Sequence, residues 1–407
     1  MTELPHIKSN SGRYALMKQK YSNKNKGRVS VVSSFIFFSF IIPLAFGYAV
    51  WRPMTLLWTL TVKQSNHIFW MSSCCCWILF NVKVFEELIY SRKLLLVSNI
   101  VLDICMIPTT ILPFALSYDI FQIMYKLIFG HPLLFKTKKI WGFCILTISF
   151  ILNNIGFYRG THISTTHYTI KTKKLKHSKI RIAHISDIHI GSRLDKLPQK
   201  MVNKIIEENP DLVVITGDLI DSHNVISTDL SSFSAFKERN IPIYYTIGNH
   251  DIMAGEEYVS SILQYYGIIY LKNQVTQIVI GDEIIQLVGI DDVQSVTKYN
   301  EIFDSITSSI HNNIYTILLH HRPQGYKTSV QSGQIDLQLA GHTHDGQVFP
   351  FNYIVPLFHS KSYGMYHIKD SSNELVLYTH PGSCAWGPHF RTAAKNLITI
   401  FSIESSN

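Results

Sequence analysis

Five polar fragments, each closing a short apolar run, restrict the second half of this 407-residue chain to folds in which several strand ends meet. They are Asp187-Ile188-His189, Gly217-Asp218, Gly248-Asn249-His250-Asp251, His321 and Gly341-His342-Thr343-His344. Ile182 to Ser186, Leu212 to Thr216 and Ile241 to Ile247 read as buried strands, with a helix over Gln199 to Glu208. Ile284 to Ile290, Tyr315 to Leu319, Leu337 to Ala340, Leu375 to Thr379 and Leu397 to Ile403 read as further strands. In a layered αβ domain, side chains just beyond the carboxyl ends of strands collect in one crevice. Asp187, Asp218, Asn249, His321 and His342 are therefore expected together, and Gly217, Gly248 and Gly341 would allow the sharp turns that aim them. A cluster of carboxylate, amide and imidazole donors is the ligand chemistry of a divalent metal site.

The first 181 residues follow another pattern. Val29 to Trp51 is an almost uninterrupted apolar run, and Ile68 to Val82, Leu94 to Leu116 and Ile140 to Phe157 are three more. A bilayer is crossed by about 20 helical residues, so these runs predict a bundle of about four transmembrane helices. Pro108 and Pro113 in the third run are tolerated where neighbouring helices satisfy the freed backbone. The expected organisation is a basic tail over 1–28, the transmembrane region over 29–158, a basic linker over 159–181 and a globular domain over 182–407.

The net charge of +9 belongs to the front of the chain, where 23 Lys and Arg face 5 acids up to residue 181; beyond it 14 face 23. An acidic globular domain excludes a nucleic-acid footprint on it. Lys8 to Arg28 and Lys171 to Arg181 are basic clusters outside the spans, and by the positive-inside rule both read as cytoplasmic. Lys126, Lys136, Lys138 and Lys139 fall on the opposite side and run against the rule. The expectation is a multi-pass protein of an inner or plasma membrane with its globular domain in the cytoplasm. Cys384 is the one cysteine of that domain, so no disulfide forms within it.

The five blocks, in this order, resemble the calcineurin-like metallophosphoesterase family. Its pattern is Asp-x-His, Gly-Asp, Gly-Asn-His-Asp/Glu, a lone His and Gly-His-x-His, and the resemblance covers about residues 180 to 405. Ile185-Ser186-Asp187, Gly341 to Gln347 and Trp386-Gly387-Pro388 resemble the membrane-associated branch, which includes phosphodiesterases and UDP-2,3-diacylglucosamine hydrolases of lipid A synthesis. The resemblance implies a four-layer αββα sandwich holding two divalent ions, manganese, iron or zinc, with manganese favoured. It assigns the first ion to Asp187, His189, Asp218 and His344, and the second to Asp218, Asn249, His321 and His342, with Asp218 as the bridge. A hydroxide between the ions would attack phosphorus. His250 would act as a near-site acid on the leaving group, oriented by Asp251. The family's usual Gly-His-Thr-His-Gly-Gly-Gln departs here at Asp345.

Neighbouring residues carry two readings each. The family's ligand stands two residues before a proline, which favours His321 over His320 given Pro323, and Arg322 reads as a phosphate contact or a solvated side chain. Asp221, Asp291 and Asp292 follow strands and could support the site or serve ordinary turns; His380 and His389 could line it; His184 reads as packed in its strand. The apolar stretch from Phe349 to Phe358 reads as a wall touching acyl chains or as core. The function expected is hydrolysis of a membrane lipid phosphodiester or pyrophosphate such as UDP-2,3-diacylglucosamine, with the bilayer and that lipid as partners. The alternatives are a membrane-anchored phosphatase or phosphodiesterase acting on soluble substrates, and a non-catalytic metal-binding receptor.

Overall fold

A computed structural model describes residues 28–89, 92–176, 179–192, 194–222 and 225–406, so the expected basic tail lies outside it except for Arg28. Four helices come first: α1 (Arg28–Leu57), α2 (Val62–Ile89), α3 (Arg92–Phe129) and α4 (Phe135–Thr161). The sandwich follows in the order β1 (Ile163–Thr172), β2 (Lys179–Ile185), α5 (Leu197–Glu207), β3 (Leu212–Thr216), α6 (Ser234–Glu238), β4 (Ile243–Thr246), α7 (Asn249–Ala254), α8 (Glu256–Tyr265) and β5 (Ile268–Tyr270). Its second part runs β6 (Gln274–Ile280), β7 (Glu283–Ile290), α9 (Val296–Ile306), β8 (Tyr315–His320), α10 (Tyr326–Ser332), β9 (Leu337–Ala340), α11 (Phe351–Phe358), β10 (Gly364–Lys369), β11 (Glu374–Thr379) and β12 (Asn396–Ser405).

Two six-stranded sheets, ordered β1-β12-β2-β3-β4-β5 and β10-β11-β9-β8-β7-β6, stack face to face. Ile180, Ile182, Leu212 and Val214 of the first sheet meet Leu287, Ile317, Leu319 and Leu339 of the second in a dry layer. The opposite face of the first sheet is covered by Met201, Ile205, Phe233, Val259 and Leu263, and that of the second by Tyr299, Phe303 and Val330. Strands buried on both faces need apolar side chains at every position, which is why Leu212–Thr216 does not alternate. The result is the expected αββα layering of a mixed α/β sandwich.

Two expectations change in front of the sandwich. The basic stretch 159–181 is not a linker: α4 runs to Thr161, and Ile163–Thr172 is β1, an edge strand paired parallel with β12. Its alternating burial, with His167, Thr169 and Lys171 outward, hid a strand inside a run of charges. Nor do four spans stand among the described residues. Among the described residues two helices, Lys93–Phe129 and Thr137–Thr161, are long and apolar enough to cross a membrane, with mean hydropathies of 2.0 and 1.7. Ile41–Leu57 is a shorter apolar helix. In α2 the largely apolar stretch reaches only from Ile68 to Phe80 between His67 and Asn81, short of the roughly 20 residues a span requires. Only 39% and 22% of the two long apolar windows is buried, unlike the core helix of a soluble protein.

These helices are seated on the sandwich. Asn396 donates through Nδ2 to the carbonyls of Arg159 and Gly160, and Arg159 Nη1 donates to those of Thr392 and Ala393. A Cβ at Gly160 would lie 2.1 Å from the His389 carbonyl oxygen, so only glycine allows this approach. On α3, Asp103 accepts from the backbone N–H of His389 at 2.6 Å and from its ring at 2.9 Å, while Asn99 donates to the Gly191 carbonyl at 3.3 Å.

One half-buried acid of the frame gives a pH-dependent test. Asp291, after β7, accepts from Tyr270 Oη at 2.8 Å and Asn273 Nδ2 at 3.3 Å; burial, with Glu256 and Asp292 nearby, pushes its carboxyl up to about 6. An acid whose folded pKa is raised costs stability as pH climbs from its unfolded value of about 3.9 through 6. Asp291→Asn should therefore raise the melting temperature at pH 7.5 and lose most of that advantage at pH 4.5. An equal shift at both pH values would contradict it.

Candidate metal centre

The ligand candidates stand beyond the ends of five strands drawn from both sheets. Asp187 follows β2, Asp218 follows β3 and Asn249 follows β4, three parallel neighbours; His321 follows β8 and His342 follows β9, parallel neighbours in the facing sheet. The loop after β2 is laced to the loop after β3, with the amides of Asp187, Ile188, His189 and Ile190 donating to the carbonyls of Gly217, Asp218, Asp218 and Leu219. Gly217 does adopt a left-handed backbone at φ +83, but Gly248 does not. Space is the reason at Gly248 and Gly341, where a Cβ would lie 2.2 Å from Asp218 Oδ1 and 2.3 Å from Asp187 Oδ2.

Asp187, His189 and His344 form one donor group, and Asp218, His321 and His342 a second. In the first, His189 Nε2 lies 3.0 Å from His344 Nε2, which is 3.3 Å from Asp187 Oδ1. In the second, His321 Nε2 lies 3.3 Å from His342 Nδ1 and 3.1 Å from Asp218 Oδ2. Asp218 Oδ2 also lies 3.9 Å from His189 Nε2, so this carboxylate stands between the groups. Donors held about 2.1 Å from one ion at tetrahedral or octahedral angles are ~3.0–3.4 Å apart. The donor sets therefore fit two divalent ions without rearrangement. Asn249 stands at the edge of the second group, its Oδ1 3.4 Å from Arg322 Nη2.

The backbone is strained where it carries ligands. Asp187, His189, Asp218, His342 and His344 have φ of 53, 52, 51, 73 and 51. Left-handed backbone costs a residue with a Cβ about 1–2 kcal/mol, so five together mark a site held by its surroundings. Asp345 has φ 50, and aspartate is among the few side chains that tolerate this conformation, which accounts for its standing where the family has glycine.

Burial and charge prepare the donors. Burial opposes ionisation of Asp187, but His344, His321 and His189 outweigh it and hold the carboxyl well below its ordinary range; Asp218 is lowered in the same way, chiefly by His321. Burial keeps His344 down at about 4, and burial with His321 and Arg322 holds His342 at about 2, leaving both neutral and able to bind a cation. Burial disfavours the charged form of His321 too, yet Asp218 raises it to about 10 while no cation shares the carboxylate. Its Nδ1 faces the Thr216 carbonyl at 2.8 Å, which turns Nε2 to the metal side.

His250 and Asp251 begin α7. The His250 amide donates to Asp218 Oδ1 at 2.8 Å, and its half-buried ring lies 4.9 Å from that of His189 and 5.5 Å from that of Trp386. Asp251 was expected to orient this ring, but its carboxylate is engaged elsewhere. Oδ1 accepts from the amides of Leu219 and Ile220, and Oδ2 from Gly248, tying the turn before α7 to the loop carrying Asp218. That is a framework role.

Of the residues with two readings, Asp221 joins the site: its Oδ2 lies 3.4 Å from His189 Nδ1, and its Oδ1 accepts from the Ser192 amide at 2.8 Å. Arg322 reaches Asp292 through Nε at 2.8 Å and His342 Nε2 through Nη1 at 2.9 Å, so it faces the second group. His320 packs on Tyr299, and His184 bonds Thr216 and meets His380 edge-on; none of these joins a donor group, and His389 belongs to the contact with α3. Arg391, fully buried with Nη2 3.1 Å from His344 Nδ1, went unnoticed in the sequence because a lone arginine in a loop carries no pattern. Trp386 was noted only as part of a motif, yet it forms the rim over His250.

Comparison with known proteins agrees with this geometry. Residues 180–346 match the model of the calcineurin-like phosphoesterase family. An uncharacterised metallophosphoesterase of Campylobacter jejuni is 29% identical over 235 residues, 55% of this chain and 59% of that protein. One from Helicobacter pylori is 28% identical over 306 residues, 72% of this chain and 79% of that one. A zebrafish (Danio rerio) transmembrane protein with metallophosphoesterase domain is 31% identical over 239 residues, 56% and 54% of the two chains. The chain thus spans little more than half the length of the first and third of these relatives. The match to the calcineurin-like phosphoesterase family thus spans residues 180–346, the segment that carries both donor groups.

Proposed function

We propose that the protein is a membrane-anchored phosphoesterase that hydrolyses a phosphodiester or pyrophosphate bond of a lipid, with UDP-2,3-diacylglucosamine as the specific candidate. The observation that carries the lipid is the seating of the donor loops on α3: Asn99 holds Gly191 just past His189, and Asp103 holds His389 beside the rim. A substrate whose phosphorus sits at the donor groups would then have the apolar face of α3 within reach. The sandwich is assigned to the cytoplasmic side because Lys171 to Arg181 flank the end of α4.

The N and O donors suit manganese, iron or zinc, with manganese favoured. Two such ions, when bound, bring the pKa of water down to about 7 and take charge from phosphoryl oxygens. Everything else falls to the chain. Asp218 sets the spacing of the two groups, the Arg322 guanidinium pairs with a phosphate oxygen, and His250 at the open rim gives a proton to the leaving oxygen.

The test is phosphate-ester cleavage by the full chain, loaded with manganese, in mixed micelles of UDP-2,3-diacylglucosamine, of other lipid phosphoesters, and of an activated aryl phosphodiester. Cleavage of a lipid ester far faster than of water-soluble nucleotide diesters is expected. Hydrolysis of the aryl diester with no lipid ester cleaved would leave the phosphoesterase standing and remove the lipid.

A further inference from the structure

The helix α11 has no buried residue although it is apolar apart from Asn352. Phe351 is 50% exposed, Tyr353 69%, Leu357 80% and Phe358 78%. No Asp, Glu, Lys or Arg occurs from Gly346 to Ser360. The stretch was open to two sequence readings, a lipid-facing wall or core, and its exposure rules out core. Both ends are held beside the metal centre. Upstream, the Phe349 amide donates to Thr392 Oγ1 at 2.7 Å, a few residues past His344. Downstream, the His359 ring packs edge-on against that of the ligand candidate His342 at 5.5 Å.

The position of α11 along the helices names what covers it. Phe349 stacks on Phe114 of α3, with centroids 6.0 Å apart and planes at 16°. One turn before Phe114, Thr110 binds Asn153 of α4 at 2.6 Å, and Asn153 lies two turns short of Gly160, where α4 meets the sandwich. At 1.5 Å per residue, Phe349 sits roughly 10–16 Å along the apolar helices from that boundary. The neighbouring outer faces of α3 and α4 are exposed and apolar as well, at Ile104, Ile107, Phe150 and Ile151.

We propose that α11 lies in the bilayer beside α3, as an interfacial helix that forms the lipid-facing wall of the metal centre. Its occupant is the acyl layer of the membrane. Interfacial amphipathic helices bury their apolar faces ~5–10 Å into the headgroup and acyl boundary, and the Phe349 contact lies at or beyond that depth from the end of α4. The inference rests on α3 and α4 being membrane spans and holds whatever ester is cleaved.

It is tested on the full chain in phosphatidylcholine and phosphatidylglycerol vesicles, carrying one environment-sensitive fluorophore, with the exposed Cys74, Cys75 and Cys144 replaced by alanine. The fluorophore is placed in turn on Leu357→Cys, on Ile120→Cys in α3, and on Tyr265→Cys on the outer face of α8, all exposed positions. With lipids brominated along their acyl chains, the labels at 357 and 120 should lose roughly half their emission and the label at 265 almost none. Quenching at 120 without quenching at 357 overturns the inference and leaves the lipid-ester proposal intact. No quenching at 120 removes the spans, and the inference with them. A label at 357 shielded from aqueous iodide yet unquenched by brominated lipid would mean that a second copy of the chain covers α11, which also overturns it.

Discussion

Asp218→Asn is expected to remove the activity and the metals together. Both oxygens of Asp218 are in use: Oδ1 takes the His250 amide at 2.8 Å, and Oδ2 faces His321 at 3.1 Å and His189 at 3.9 Å. Asparagine keeps the shape, but it turns one acceptor into a donor and deletes the charge that two cations would share. Hydrolysis of an activated aryl phosphodiester should fall by at least ~10³-fold, the scale on which lost electrostatic stabilisation of a transition state is measured. Bound metal, measured by mass spectrometry on the purified full chain, should fall from two ions per chain to one or none. The fold should survive, because β3 and β4 are buried by neighbours that do not depend on the carboxylate. A variant that keeps two ions and its rate would mean that Asp218 does not stand between the metals.

The central strands were legible because burial on two faces forces unbroken apolar runs: Leu212–Thr216 and Leu337–Ala340 were placed to the residue. The strands missed were β1, β5, β6 and β10, and these are the four edges of the two sheets. An edge strand is half solvated, so His167 or Lys171 can point outward and the apolar signal falls to that of a loop. In the site, Asp187, Asp218, His321 and His342 stand in the two donor groups, and Asn249 stands at their edge. What sequence could not supply was the second layer of contacts. The resemblance makes Asp251 a partner for His250, yet its oxygens accept from the amides of Leu219, Ile220 and Gly248. Arg391 comes from a loop whose folding depends on long-range contacts, such as its own N–H to the Gly156 carbonyl of α4. The run from Ile68 was overstated as a span for a related reason: composition marks an apolar run, but length against the bilayer decides a crossing.

His250→Gln is expected to slow the enzyme without emptying it, and the size of the effect should depend on the leaving group. The ring is half-buried at the rim under Trp386, while its backbone amide holds Asp218, a bond that glutamine preserves. Two bound ions should remain. General-acid help is typically worth ~10²–10⁴-fold, so kcat on an ester with a strongly basic alkoxide leaving group should fall by that amount. An aryl leaving group departs without a proton, and its hydrolysis should fall far less. Burial and His189 hold the ring pKa below its ordinary value, and the negative phosphate of a bound substrate works in the opposite direction. A general acid must be protonated, so wild-type kcat on the alkyl ester should decline as pH rises through the pKa of His250 in the complex. That decline should be missing from the variant. Equal losses on aryl and alkyl esters, with the alkaline limb unchanged, would mean that His250 binds transition-state charge rather than delivering a proton.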